Sequence, residues 1–128
     1  MIYIITGSRD FPDLPFIERC IVFHVTKDDV VFHGGARGAD VAAGHAAEKI
    51  GAEVRVFHPN WDVFGKVAGC IRNGSMLKEA LIGRDRRDVS CLAFWNGTSR
   101  GTKDMLDRCK ALNVTTTIYS QPEKGAKL

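Results

Sequence analysis

The chain has 128 residues, 45% hydrophobic and 26% charged, with 18 Lys plus Arg against 15 Asp plus Glu and a formal net charge of +3. That length suits one domain with its own core, and the composition excludes a disordered, collagen-like or disulfide-scaffold chain. No apolar run reaches the roughly 20 residues of a membrane helix, and so small a basic excess does not by itself argue for nucleic acid.

The first predicted strand is the β-branched run at residues 2–6, stopped by Gly7-Ser8. Asp13 is placed to cap a helix that tolerates Pro15 in its opening turn and runs to about residue 26. A second strand at 30–32 ends at Gly34-Gly35, and an alanine-rich helix at 39–50 ends at Gly51. The run 53–57 reads as a third strand, 68–82 as a helix, 89–95 as a near-continuous apolar strand, 102–112 as a helix and 114–119 as the last strand. Short apolar strands alternating with helix-length segments predict an α/β protein. Its expected form is a three-layer doubly wound Rossmann-like fold, with a mostly parallel five-stranded sheet and helices on both faces. Residues 1–120 form one expected domain, and the polar stretch 121–128 an expected flexible tail.

In such a sheet the ligand crevice lies outside the carboxyl ends of the strands. The loops there are Gly7-Ser8-Arg9-Asp10, Gly34-Gly35-Ala36-Arg37-Gly38-Ala39-Asp40 and Asn96-Gly97-Thr98-Ser99-Arg100-Gly101-Thr102. Each is small, contains glycine, carries one arginine and opens a helix. Glycines admit close backbone approach, helix N-termini favour anions, and a guanidinium grips phosphate bidentately. Three such loops on one edge predict a site for a phosphorylated ligand. Asp40, in the first turn of its helix, is placed to cap that helix or to orient Arg37.

Known phosphate motifs are missing. Gly65-Lys66 is followed by Val67, and Asn60 stands where a Walker A loop begins, while no G-x-G-x-x-G follows the first strand. The segment from Pro59 through Trp61 and Lys66 leads into Arg72 and Asn73, which face the crevice if their helix begins near Gly69. Trp61 either stacks on a base or anchors the long loop. His33, before the double glycine, has no partner visible in sequence. The four cysteines are too dispersed for zinc, and most of them read as small buried hydrophobes, so no metal is expected. The run from Arg84 to Asp88 alternates in sign and reads as a solvated turn.

Gly7 to Phe11, Gly34 to Asp40, Gly65 to Gly69 with Arg72-Asn73, and Ser99 to Thr102 together resemble the YspA-like branch of the SLOG superfamily, over about residues 1–119. The superfamily also includes the DNA-processing protein DprA, whose Gly-x-Ala-Arg-Gly-Ile-Asp motif and following Ala-His pair segment 35–45 resembles, and the LONELY GUY nucleotide phosphoribohydrolases. The resemblance implies a Rossmann-like fold binding nucleotides or nucleotide-derived ligands at the strand ends. It also carries a catalytic arginine to Arg72. The phosphoribohydrolase glutamate position is occupied by Met105 beside the matching Gly101-Thr102, leaving Asp104 as the nearest acid.

The leading expectation is a cytoplasmic module binding a nucleoside monophosphate or an ADP-ribose-like ligand, with no cofactor required. Arg9, Arg37, Arg72 and Arg100 hold the phosphates with help from the loop amides. The binding set is Gly7, Ser8, Arg9, Gly34, Gly35, Arg37, Gly38, Asp40, Trp61, Lys66, Arg72, Asn73, Gly97, Ser99, Arg100, Gly101 and Thr102. The alternative is a hydrolase cleaving the N-glycosidic bond of a nucleotide, with Arg72 and Asp104 as its catalytic pair. A second alternative is DprA-like binding of single-stranded DNA. Self-association fits the threonine-rich last strand as a sheet edge, and no membrane partner is expected.

Overall fold

The computed structural model describes residues 1–120; the stretch expected as a tail lies outside them. Strands β1 (Ile2–Gly7), β2 (Val30–His33), β3 (Glu53–Val56), β4 (Val89–Trp95) and β5 (Thr115–Ser120) form one sheet in the order β3-β2-β1-β4-β5. Every neighbouring pair is parallel, with Ile4 opposite Phe32 on one side and Cys91 on the other. The mostly parallel sheet expected from the sequence is parallel throughout. Strand order reverses between β1 and β4, the place where a crevice opens in such sheets.

Period-two alternation divides the core. Ile5, Val31, Leu92 and Phe94 face α1 (Leu14–His24) and α2 (Ala39–Ile50), whereas Ile2, Ile4, Phe32, Val89 and Cys91 face the opposite side. That second side is covered by α4 (Ala68–Leu81) and α5 (Arg100–Ala111), through Met76, Leu77, Met105 and Cys109. Each large side chain so buried contributes roughly 1.5–3 kcal/mol. The alanines of α2 leave it thin enough to pack closely on the sheet, and Ala39, Ala43 and Ala47 are fully covered. Cys20, Cys91 and Cys109 are buried, as expected of small hydrophobes.

Local signals set most of the ends. Asp13 Oδ1 accepts the Phe16 N–H at 3.0 Å and starts α1, and Gly51 closes α2 in the left-handed region at φ 94°. α5 begins two residues before the expected position, because the Ser99 side chain caps it by accepting the Thr102 N–H. Arg100 and Gly101 are thus first-turn residues of α5, not loop. A short helix α3 (Trp61–Phe64) and a 3-10 turn (Gly65–Val67), neither foreseen, fill the connection into α4. The Arg84 to Asp88 run is an exposed turn ending in a 3-10 segment (Arg86–Asp88).

Candidate functional site

The loops after β1, β2 and β4 meet at the point where strand order reverses. Phe11, 2% exposed, meets Phe94 edge-on at 5.8 Å and pins the chain just beyond Arg9 and Asp10. The Ser8 amide donates to Phe94 O at 2.9 Å, while the Ser8 hydroxyl accepts the Asn96 amide at 3.0 Å. Asn96 completes the joint: its Nδ2 donates to Asp10 Oδ1 at 3.0 Å, and its Oδ1 accepts the amides of Thr98 and Ser99 at 2.8 and 2.9 Å. Asn96 was not foreseen as a site residue; an Asn two and three residues ahead of a Thr-Ser helix start is the signal that could have marked it.

The loop after β2 is held differently from the expectation. Asp40 neither caps α2 nor meets Arg37, since the N-cap of α2 is Gly38 with no side-chain bond. Its carboxylate turns back, and Oδ2 accepts the amides of Gly34 at 3.1 Å and Ala36 at 3.3 Å. The Gly35 amide between them donates to Nδ1 of His33 at 3.0 Å. His33 is buried, and desolvation, with a smaller push from His58, holds its pKa below the ordinary imidazole value, which suits an accepting Nδ1. These three amides are therefore used inside the loop and are not offered to an anion. Among the described residues, the amides left without a chain partner include those of Arg100 and Gly101 at the start of α5.

Arg72 links this loop to α4. Its Nη1 donates to Gly34 O at 2.8 Å and Phe57 O at 3.2 Å, and its Nε donates to Asn73 Oδ1 at 3.0 Å. A side chain on residue 34 would run into the Arg72 guanidinium, so glycine there makes the seat for the arginine. Burial lowers the Arg72 pKa while Asp40 opposes the shift; the group stays charged. Its Nη2 makes no hydrogen bond among the described residues.

These elements enclose a cavity of about 810 Å³, within the range of small-molecule sites. The four arginines expected to converge, Arg9, Arg37, Arg72 and Arg100, all line it with Lys66, against two carboxylates, Asp10 and Asp40. Gly7, Ser8, Gly34, Gly35, Trp61, Ser99, Gly101 and Thr102 line it as well. Trp61 is 48% exposed there, so its ring is open to a ligand. His58 and Cys70 belong to the wall without having been foreseen.

Four expected residues stand outside that wall. Gly38, at φ 81°, lies against the backbone of Arg9, where a Cβ would clash with the Arg9 carbonyl; its role is packing. Gly97, at φ 87°, makes the turn after β4. Asn73 is 2% exposed and donates from Nδ2 to Gly101 O at 3.1 Å and Asp104 Oδ2 at 3.0 Å. Asp104 takes a further bond from Arg108 Nε at 2.9 Å, so its carboxylate is engaged between α4 and α5. Met105, at the phosphoribohydrolase glutamate position, is wholly buried in the core. No His, Cys, Asp and Glu cluster among the described residues has the makings of a metal site.

The class is therefore that of a doubly wound α/β protein whose loops gather cations at the strand ends. The family model for YspA, cpYpsA-related SLOG proteins matches residues 1–64. The chain is also 34% identical over 119 residues to the Gene 61 protein of Mycobacterium phage D29, a match covering 87% of this chain and 90% of the phage protein. The chain belongs to the YspA, cpYpsA-related SLOG family. No helix among the described residues is long and apolar enough to cross a membrane.

Proposed function

We propose that the chain binds a nucleotide or nucleotide-derived ligand, of the nucleoside monophosphate or ADP-ribose type, in the cavity at the strand ends. The observation that carries this reading is the convergence of Arg9, Arg37, Arg72 and Arg100, far apart in sequence, on one cavity. Guanidinium forks match phosphate oxygens in pairs, and the free first-turn amides of α5 add donors in the favourable direction of its dipole. Trp61 offers an aromatic face to a base. Family membership supports a nucleotide-related role.

Binding is favoured over cleavage of the N-glycosidic bond. The acid assigned to cleavage, Asp104, has its carboxylate bonded to Asn73 and Arg108 and does not line the cavity. A thermal-shift panel of nucleotides tests the reading. Ligand at about 100 times its dissociation constant adds about 2.7 kcal/mol of stability, and a panel with no stabilising nucleotide refutes it. Free base accumulating in the same mixtures would restore the hydrolase.

A further inference from the structure

Asp40 holds an oxygen that the fold leaves without a partner. Oδ2 is used twice, by the amides of Gly34 and Ala36, but Oδ1 makes no hydrogen bond within the described residues. The residue is 5% exposed and forms part of the cavity wall. A buried carboxylate oxygen without a donor costs stability, so a donor arriving with a ligand is bound strongly.

The surroundings restrict what that donor can be. The charges Asp40 feels are the guanidiniums of Arg72 and Arg9, two of the proposed phosphate ligands. An ionised carboxylate repels a phosphate, and in a nucleotide the group next to the phosphate is the sugar, not the base. Of the two arginines, Arg9 is exposed and makes no side-chain hydrogen bond among the described residues. Its guanidinium is therefore available to an incoming phosphate.

We propose that Oδ1 of Asp40 accepts a hydrogen bond from a ribose hydroxyl, so that the site selects ribonucleotides over nucleotides whose sugar lacks the 2′- and 3′-hydroxyls. The proposal rests on the nucleotide-binding reading and specifies its substrate class. Burial raises the Asp40 pKa to about 6, against the opposing amide bonds and arginine charges, which leaves the carboxylate ionised and accepting at pH 7.5.

The test is calorimetric titration of the full chain at pH 7.5 with AMP, CMP, GMP and UMP and with their 2′,3′-dideoxy counterparts. At least one ribonucleotide is expected to bind about tenfold or more tighter than its dideoxy counterpart, the usual effect of a hydrogen bond to a charged acceptor. Asp40→Asn keeps an amide oxygen for the Gly34 and Ala36 amides and places an NH₂ where Oδ1 stood. It should fold and lose most of the preference, read as the ratio of ribonucleotide to dideoxynucleotide affinity within the variant. Equal affinity of the wild type for both sugars overturns the proposal and leaves nucleotide binding intact. Wild-type protein that binds neither sugar overturns the proposal together with the nucleoside monophosphate reading, and the ADP-ribose reading is then decided by the thermal-shift panel. An unaltered preference in Asp40→Asn removes Asp40 from the role, and a variant that fails to fold leaves the wild-type comparison to decide.

Discussion

Nδ2 of Asn73 donates to Oδ2 of Asp104 across 3.0 Å and so joins the helix that carries Arg72 to the helix that opens on Arg100. With Asn73 Oδ1 holding Arg72 Nε, and Arg72 holding Gly34 O, the relay spans α5, α4 and the loop after β2. Asn73→Ala removes the acceptor of the Arg72 Nε and the donor to Asp104 Oδ2, and should cost about 2 kcal/mol in urea denaturation. Asp104→Asn retains an acceptor for Asn73 and loses the part-exposed pair with Arg108, so it should cost less than about 1 kcal/mol. Nucleotide affinity should be unchanged in Asp104→Asn; a large loss would return Asp104 to the site.

The arginines divide into two kinds. Arg9, Arg37 and Arg100 are exposed at the cavity, so replacing each by alanine should weaken nucleotide binding about tenfold with little change in the urea midpoint. Arg72→Ala should weaken binding and also destabilise by about 1–3 kcal/mol, because it leaves Gly34 O and Phe57 O short of a donor. Paired calorimetry and denaturation separate the two kinds.

Two glycines are predicted to act through those arginines. Gly34→Ala pushes into the Arg72 guanidinium and should reproduce the affinity loss of Arg72→Ala. Gly38→Ala meets both a positive φ and the Arg9 carbonyl, and should lose about 1–3 kcal/mol of stability. An alanine at residue 38 that leaves the denaturation curve unmoved would contradict the packing role given to this glycine.

The architecture was legible because each strand is a short β-branched or apolar run closed by a breaker, and because Asp13 and Gly51 mark helix ends in their usual places. α3 was not, since four residues show no periodicity and bury nothing, although Asn60 does cap it by accepting the Val63 amide at 3.2 Å. The arginines could be gathered from sequence because parallel topology puts all the post-strand loops on one edge. What each polar side chain bonds to could not. Asp40 reaches four and six residues backwards to Ala36 and Gly34, and Asn96 bridges 86 residues to Asp10. Such partners are chosen by tertiary approach, which spacing along the chain does not encode.

Asp40 also sets a pH dependence. Its carboxyl titrates at about 6 in the fold against 3.8 as the ordinary value, burial outweighing the amides of Ala36 and Gly34 and the charges of Arg72 and Arg9. A raised acid pKa means that the fold binds the proton more tightly than the unfolded chain does. The contribution of Asp40 is therefore fully present below about pH 4 and is lost as pH rises through about 6. Its size is on the order of 3 kcal/mol. Asp40→Asn has no proton to lose, so its stability relative to wild type should rise by up to that amount between pH 4 and pH 7. Urea denaturation at the two pH values measures it, and a relative stability that falls instead contradicts the buried, ionised carboxylate.

Calorimetric titration of nucleoside monophosphates into the wild type and into the Arg9→Ala/Arg37→Ala/Arg100→Ala triple variant tests the anion-gripping cavity most directly. The account predicts a saturable isotherm for the wild type with at least one nucleotide, and a folded triple variant whose affinity is lower by about a thousandfold if the losses add. A triple variant that binds the same nucleotide as tightly as the wild type would place the ligand elsewhere on the molecule and contradict it.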